Sequence, residues 1–94
     1  QINIANEKQK SGIKKEKVYE FFKFCKNLHL DVIGTMCIPP QEGNSKSYFL
    51  EMNKINEKLN LPDLSMGMSQ DYLEATENKA TFLRIGSKIF GRRN

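Results

Sequence analysis

Two short apolar segments in the last third of the chain constrain the fold more than any other feature. The first, residues 64–68, has the length and composition of a strand and is followed by Ser69. The second, residues 80–85, has the same character and is followed by Gly86 and Ser87. A segment with helical character separates them. This strand–helix–strand spacing is typical of a parallel βαβ unit.

The small residues after each segment fall where a strand ends and a helix begins. Main-chain N–H groups at a helix start lack partners within the helix, and the helix dipole favours an anion there. Ser69 adds a hydroxyl donor, and Gly86 lets an oxyanion approach the backbone. Taken singly, each residue is explained more simply, Ser69 as an N-cap and Gly86 as a turn. As a pair on consecutive strands, they favour a phosphate site.

The rest of the chain repeats the alternation of strand and helix. We predict strands at residues 1–5 and 32–38 and helices at residues 14–28 and 45–60. Right-handed crossovers between the strands give an α/β fold, in which parallel β/α units form about half of a TIM-type barrel with four strands and three main helices. Each of the first two helices carries an apolar stripe that we expect to pack on the sheet. The stripes comprise Val18, Phe21, Phe22, Cys25 and Leu28, then Tyr48, Phe49, Met52, Ile55 and Leu59.

Length and charge limit the classes of protein that fit. The 94 residues make one domain, residues 1–94, and the net charge of +4 comes from seven Lys and three Glu in residues 1–28. A basic nucleic-acid-binding module is one hypothesis, but the aromatic residues of this stretch lie on the apolar stripe and do not alternate with lysines. We therefore predict no nucleic-acid partner. The sequence has no membrane-length apolar run and no signal peptide, which predicts a cytoplasmic protein without a membrane partner.

The cysteines and the lone histidine lack the spacing of a catalytic or metal site. Cys25 lies on the stripe of the first helix and Cys37 in the second strand, so both are predicted to be reduced core residues. His29 ends the first helix with no acidic or cysteine partner at motif spacing. The sequence therefore predicts no catalytic and no metal-binding residue.

Two residues earlier in the chain are further candidates for the phosphate site. Lys10, in the polar segment 6–12, is either a solvated loop lysine or a cation that contacts a phosphate or carboxylate. Met36, in the second strand, either packs in the core or lines the interior of the barrel. The sequence leaves both alternatives open.

Four stretches of the chain, in order, resemble the pyridoxal-phosphate homeostasis proteins. These are single-domain barrels related to the N-terminal domain of alanine racemase. The matching stretches, with x for a position that does not count, are QINIANExxKSG at residues 1–12, GTMCIP at 34–39, LSMGMS at 64–69 and RIGSxIFGxR at 84–93. The resemblance covers nearly all of this chain and only the C-terminal portion of the family.

The resemblance implies that pyridoxal 5′-phosphate is held at the mouth of the barrel. Ser69, Gly86 and Ser87 would contact its phosphate, and Arg84 would approach the pyridine nitrogen. Without the resemblance, a salt bridge from Arg84 to an acid of the preceding helix segment, such as Asp71 or Glu74, is also open. The remaining residues of the predicted cofactor-binding set are Met68, Met36 and Lys10.

An arginine beside the ring nitrogen decides between two functional hypotheses. A protonated ring next to a guanidinium is electrostatically disfavoured, so the nitrogen stays unprotonated and the ring is a weaker electron sink. The leading hypothesis is therefore a non-enzymatic protein that buffers or delivers the cofactor. The alternative is a racemase-like enzyme with weak activity, which needs an acid–base residue facing the cofactor. The 94 residues offer no convincing candidate.

The resemblance also predicts that the chain is incomplete as a barrel. The Schiff-base lysine of the family lies on a strand upstream of Gln1, and the chain opens in a predicted strand without an initiator methionine. Half a barrel leaves two exposed strand edges. We expect a fragment that pairs with the missing N-terminal half or with a second copy of the chain.

One helix end departs from the family pattern. Lys79 stands where relatives usually have a glycine in the last turn before the final strand. Glycine is the preferred residue at this position because it adopts the left-handed conformation without strain. We therefore predict that the helix end is satisfied differently, with Asn78 as the capping residue.

Overall fold

A computed structural model of the protein describes residues 1–40 and 43–91. Arg93, the last matching residue of the fourth stretch, lies outside the described residues. A turn of 3-10 helix, Lys15–Lys17, leads into the first α-helix. The order of elements is β1 (Ile2–Asn3), β2 (Ile13–Lys14), α1 (Val18–Asn27), β3 (Gly34–Met36), α2 (Ser45–Leu59), β4 (Asp63–Met68), α3 (Tyr72–Glu77), β5 (Phe82–Arg84) and α4 (Ser87–Phe90).

The strands are parallel, as predicted, but they form two sheets. β3, β4 and β5 make a three-stranded sheet in that order, whereas β1 pairs with β2. Each of the four predicted strands is present in a shorter or similar form, and β2 is an additional two-residue strand within the described residues. The α/β class with parallel strands is confirmed, while the half-barrel arrangement stays a prediction.

The core lies between α2, α3 and one face of β4. Leu64 and Met66 are buried on that face, because alternate residues of a strand point the same way. Ser65 between them therefore points to the opposite face. The stripe of α2 packs as predicted, and each large apolar side chain buried in this way stabilises the fold by about 1.5–3 kcal/mol. The other members of the core are Ile2, Ile4, Val18, Cys37, Phe49, Met52, Ile55 and Ala75.

Asn56 fixes α2 to the sheet through its buried side-chain amide. Its Nδ2 donates to the carbonyl oxygens of Leu61 at 3.1 Å and Asp63 at 2.9 Å. Its Oδ1 accepts a hydrogen bond from the Thr35 hydroxyl at 2.8 Å. One amide thus links α2, β3 and β4. Gly34 completes this junction, because a Cβ there would lie 2.1 Å from the Asp63 carbonyl oxygen.

The stripe of α1 is only partly buried, which corrects the prediction that it packs on the sheet as a whole. Val18 and Cys25 are buried, but Phe21 and Leu28 are 50% and 54% exposed. Tyr19, on one flank of α1, faces α2. Phe21 and Leu28 lie on the opposite flank of α1, away from α2. The Nζ atom of Lys58 in α2 lies 5.4 Å from the centre of the Tyr19 ring.

The cysteine prediction is confirmed, since Cys25 and Cys37 are both buried free thiols. Across residues 1–40 and 43–91, none of the helices combines the length and the apolar character that crossing a membrane requires. The cytoplasmic location stays a prediction.

Candidate functional site

The carboxyl ends of β3, β4 and β5 lie at one edge of the sheet because the three strands are parallel. A bulge in β4 sets the geometry of this edge. Ser65 pairs with Phe82 and Met68 pairs with Arg84, so three residue steps on β4 match two on β5. The extra residue reverses the alternation of side chains along β4. Met68 therefore lies on the same face as Ser65.

This register gives the sheet an open face, formed by Met36, Ser65, Met68, Phe82 and Arg84. Met36 belongs to it because it pairs with Ser65. The other face carries the buried residues that pack against the helices. Phe82 is 56% exposed, which shows that the open face is not covered by the described residues there. Three of the predicted site residues thus share one surface.

Arg84 reaches across the open face to both neighbouring strands. Its Nη1 donates to the Ser65 hydroxyl at 2.6 Å, and its Nη2 donates to the Cys37 carbonyl oxygen at 3.0 Å. Its Nε is buried and has no hydrogen-bond partner among residues 1–40 and 43–91. The salt bridge to a helix acid, which the sequence left open, is not among the ion pairs of the described residues. Within the described residues, Arg84 is therefore held by neutral acceptors and not by a carboxylate.

Cys37 lies among the charged groups of this edge but is not a nucleophile. Burial raises the pKa of its thiol to about 12, and the negative charge of Asp71 adds to the rise. The positive charges of Arg84 and Lys10 lower the pKa of the thiol, but by less than burial raises it. The thiol is therefore protonated at neutral pH, and only the thiolate is reactive.

Lys10 is held at the end of β3. Its Nζ donates to the Ile38 carbonyl oxygen at 3.2 Å and lies 3.7 Å from an oxygen of Glu7. This contact spans 28 residues of sequence and brings the loop after β1 to the same edge as Cys37. Lys10 is thus a partly buried cation near the site. A contact between Lys10 and a phosphate stays a prediction.

The turn after β4 is closed by Asp71. The Met68 N–H donates to Oδ1 of Asp71 at 2.8 Å, and the Asp71 N–H donates to the Met68 carbonyl oxygen at 3.1 Å. The Met68 N–H is thus committed to a side chain and is not a free donor for an anion. Ser69 follows in this turn and is partly buried.

The turn after β5 is open. Gly86 precedes the four-residue helix α4, and a Cβ added at Gly86 would meet no atom of the described residues within 4 Å. Ser87, the first residue of α4, is exposed. The backbone at Gly86 therefore has room for another group beside it.

Comparison with known proteins identifies the relatives of this chain. No protein-family model matches it. A protein of Aquifex aeolicus is 36% identical over 103 residues, and one of Haemophilus influenzae is 40% identical over 105 residues. Both are named pyridoxal phosphate homeostasis protein. These alignments cover 99% and 100% of this chain but only 45% and 44% of the relatives. The chain is related to the C-terminal part of the pyridoxal phosphate homeostasis proteins.

A solved structure agrees with this assignment. PipY of Synechococcus elongatus, determined without pyridoxal phosphate, matches 90% of the chain with a TM-score of 0.75 and 25% identity. A second structure of PipY, with pyridoxal phosphate bound, matches 92% with a TM-score of 0.72 and 22% identity. The chain covers 45% and 46% of these two structures. The chain therefore spans about half the length of the pyridoxal phosphate homeostasis proteins that it matches.

The residues predicted from the resemblance to the pyridoxal phosphate homeostasis proteins all lie near the carboxyl ends of the strands. Met36, Met68 and Arg84 share the open face. Lys10 is tied to the residues after β3. The turn residues Ser69, Gly86 and Ser87 follow β4 and β5. None of these positions by itself assigns a ligand contact, so their roles stay predictions.

Three contributions to this site were not predicted: the Ser65 hydroxyl, the Cys37 carbonyl oxygen and the Asp71 carboxylate. One sequence signal does point to Ser65. It is a polar residue between the buried Leu64 and Met66, which places it on the opposite face of the strand. The main-chain oxygen of Cys37 has no such signal, because every residue carries one.

Proposed function

We propose that the chain binds pyridoxal 5′-phosphate at the carboxyl ends of β3–β5 and serves cofactor homeostasis without catalysing a reaction. The observation that carries the proposal is the state of Arg84. Two neutral acceptors hold its guanidinium, and its buried Nε has no partner in the described part of the chain. Buried donors in native proteins are nearly always paired. A ligand with a ring nitrogen on the open face would supply the acceptor.

The turns beyond the strands fit the phosphate of such a ligand. Gly86 has open space where a side chain would stand, and the Ser87 hydroxyl lies beside it in sequence. In this proposal Ser69 contacts the same phosphate from the turn after β4, and Lys10 adds positive charge from the end of β3. The name of the relatives and the presence of pyridoxal phosphate in one PipY structure support this choice of ligand.

The residues of the site favour holding the cofactor over chemistry on substrates. When bound, pyridoxal phosphate supplies an aldehyde that reacts with amines and a ring that accepts electrons. Arg84, with no acidic partner, keeps an adjacent ring nitrogen unprotonated and so weakens the ring as an acceptor. Cys37 keeps its proton because burial raises its pKa to about 12. His29 follows α1 and precedes β3, so it lies towards the amino ends of the strands, away from the site.

We further propose that the chain forms half of a barrel that other β/α units complete. Phe21, Phe24 and Leu28, on the flank of α1 away from α2, are 50–56% exposed. At the other end, β5 is the edge strand of its sheet and carries Phe82, which is 56% exposed. In a closed barrel each helix has two neighbours and no strand has a free edge. The extra length of the relatives supports an N-terminal half as the partner.

Sedimentation velocity tests the half-barrel proposal. The chain is mixed with the part of the Haemophilus influenzae relative that precedes the match. We expect a one-to-one complex that Phe24→Asp weakens by about tenfold, since a buried charge without a partner is costly. Lys23→Asp, which changes an exposed neighbouring residue of α1, is the control. If Phe24→Asp and Lys23→Asp bind the N-terminal part of the relative equally well, or if the chain alone forms a dimer, this flank of α1 is not the surface that contacts an N-terminal half.

Ligand binding is best tested with pyridoxine 5′-phosphate. This compound keeps the ring and the phosphate but has an alcohol in place of the aldehyde, so it cannot react with the twelve lysines of the chain. Calorimetric titration is expected to give one site per chain. Gly86→Val should weaken binding by about tenfold or more, because its side chain fills the open space beside the backbone.

The same variant supplies its own control. A Cβ at Gly86 meets no protein atom within 4 Å, and its φ of −107° suits valine, so the free energy of unfolding should not change. Arg84→Lys keeps the charge but loses the two-point hold on Ser65 and Cys37, and it should also weaken binding. Unchanged affinity in both variants would rule out this site.

A further inference from the structure

We infer that Ser65 is a positioning residue, which fixes the guanidinium of Arg84 so that Nε is the donor that remains for a ligand. The inference rests on the proposed function, because it specifies how Arg84 meets the ring nitrogen. It concerns a residue that touches Arg84 and need not touch the ligand. The second contact to Arg84, from the Cys37 carbonyl oxygen, cannot be removed by changing a side chain. Ser65 is therefore the residue on which the arrangement can be tested.

The strand register brings Ser65 and Arg84 together. Ser65 pairs with Phe82, and Arg84 lies two residues further along β5, so both side chains project from the open face. The Arg84 side chain then runs back along the sheet to reach the Ser65 hydroxyl at 2.6 Å. This is a short hydrogen bond from a charged donor, which is stronger and more directional than one between neutral groups.

The two contacts of Arg84 select which nitrogen is left. Ser65 takes Nη1 and the carbonyl of Cys37 takes Nη2, from β4 and from the end of β3 respectively. A planar guanidinium held at both terminal nitrogens has little freedom to rotate. Nε is then buried, and no described residue accepts a hydrogen bond from it. The side chain is therefore already fixed before a ligand arrives.

The neutrality of Ser65 matters as much as its position. A carboxylate at this place would also hold Arg84, but it would cancel the positive charge on the guanidinium. The Ser65 hydroxyl and the Cys37 carbonyl oxygen hold the guanidinium without neutralising it. The positive charge of Arg84 can then interact with the ligand. The arrangement therefore selects a ligand atom that accepts a hydrogen bond and does not carry a proton, such as an unprotonated pyridine nitrogen.

Arginine side-chain NMR tests this inference in the full chain. The sequence has three arginines, Arg84, Arg92 and Arg93, and Arg84→Lys identifies the Nε–H signal of Arg84 by its loss. In the free chain that proton should exchange with water at least about tenfold more slowly than in free arginine, because it is buried. Ser65→Ala should remove most of this protection. Ser65→Thr keeps the hydroxyl and should restore it.

Ligand titrations separate positioning from general stability. Pyridoxine 5′-phosphate should shift the Arg84 Nε–H signal, and Ser65→Ala should bind it about tenfold more weakly, with rescue by Ser65→Thr. The affinity for inorganic phosphate, which lacks the ring, should be the same in the unmodified chain, in Ser65→Ala and in Ser65→Thr. Thermal unfolding of each variant checks that the fold is retained.

Two results would overturn the inference. One is an Arg84 Nε–H exchange rate that Ser65→Ala leaves unchanged. The other is that pyridoxine 5′-phosphate binds but does not shift the Nε–H signal of Arg84. If neither phosphate compound binds the unmodified chain, the proposed function fails instead, and the exchange rates of the free variants still decide whether Ser65 positions Arg84.

Discussion

Met68 of β4 pairs with Arg84 of β5, whereas the preceding pair along the same two strands joins Ser65 to Phe82. The unequal steps place one extra residue in β4 and turn Met68 towards the face that carries Arg84. Gly67 makes this possible, since its φ of +106° lies in a region that other residues rarely adopt. A strand bulge at one glycine thus determines which side chains meet at the candidate site.

Gly67→Ala should therefore destabilise the protein. The added Cβ would lie 2.7 Å from the Cβ of Ala75 and 2.8 Å from Cδ2 of Leu83, in addition to the backbone strain. We expect the free energy of unfolding, measured in urea, to fall by about 2–3 kcal/mol. Gly86→Ala is the matched control, because a Cβ there meets no atom within 4 Å. Equal stability of the two variants would refute the role given to the bulge.

Asn56→Ala should be at least as damaging. It leaves the Thr35 hydroxyl and the carbonyl oxygens of Leu61 and Asp63 without the partner that they share. We expect a loss of about 2–4 kcal/mol in the free energy of unfolding. Asn53→Ala, at a partly buried position of the same helix, should change it by less than about 0.5 kcal/mol. Similar losses in both variants would mean that the Asn56 amide has no special role.

Lys79→Gly should stabilise the protein. Lys79 follows the C-cap residue of α3 and is in the left-handed conformation, with a φ of 71°. Asn78 is the capping residue, as predicted, and its Nδ2 donates to the Glu74 carbonyl oxygen. Glycine adopts this conformation without strain, which is worth about 1 kcal/mol. The exposed ion pair with Glu57 adds little. Lys79→Ala is the control, because it loses the same ion pair without relieving the backbone strain. If the thermal midpoint of Lys79→Gly is no higher than that of Lys79→Ala, strain at residue 79 does not limit the stability.

The buried thiol of Cys37 should make the stability fall at high pH. In the unfolded chain the thiol ionises near its ordinary pKa of 9.0, whereas burial raises the pKa in the folded state to about 12. Between these values the folded state binds more protons than the unfolded state. The free energy of unfolding should then fall by up to about 1.4 kcal/mol per pH unit. Cys37→Ala should remove this contribution to the fall of the free energy of unfolding between pH 9 and 10.5. The same pH dependence in the Cys37→Ala variant and the unmodified chain would refute the role given to the Cys37 thiol.

The elements of the fold were largely predictable because their signals are local. The stripe of α2 and the apolar segment of β4 depend on residue spacing alone, and both lie where the spacing predicts. The exposure of Phe21 was not predictable in the same way. It depends on which element lies beside α1, and spacing within α1 carries no information about that neighbour.

The candidate site was predictable in outline but not in its contacts. The motifs around Ser69 and Gly86 were placed after β4 and β5, where the structure has them, because strand ends can be located from sequence. The hold of Ser65 on Arg84 depends on a one-residue bulge, which shifts the register between strands. Register is a property of two segments together, so neither segment reveals it alone.

Native mass spectrometry shows directly whether the chain forms the cofactor-binding half of a barrel. The chain, of 10.9 kDa, is mixed with the N-terminal part of the Haemophilus influenzae relative and with pyridoxal 5′-phosphate. We predict a complex of one chain of each kind that carries one pyridoxal phosphate, and loss of the bound ligand in the Gly86→Val variant. A chain that stays at 10.9 kDa without ligand, alone and in the mixture, would contradict the claim that it forms the cofactor-binding half of a barrel.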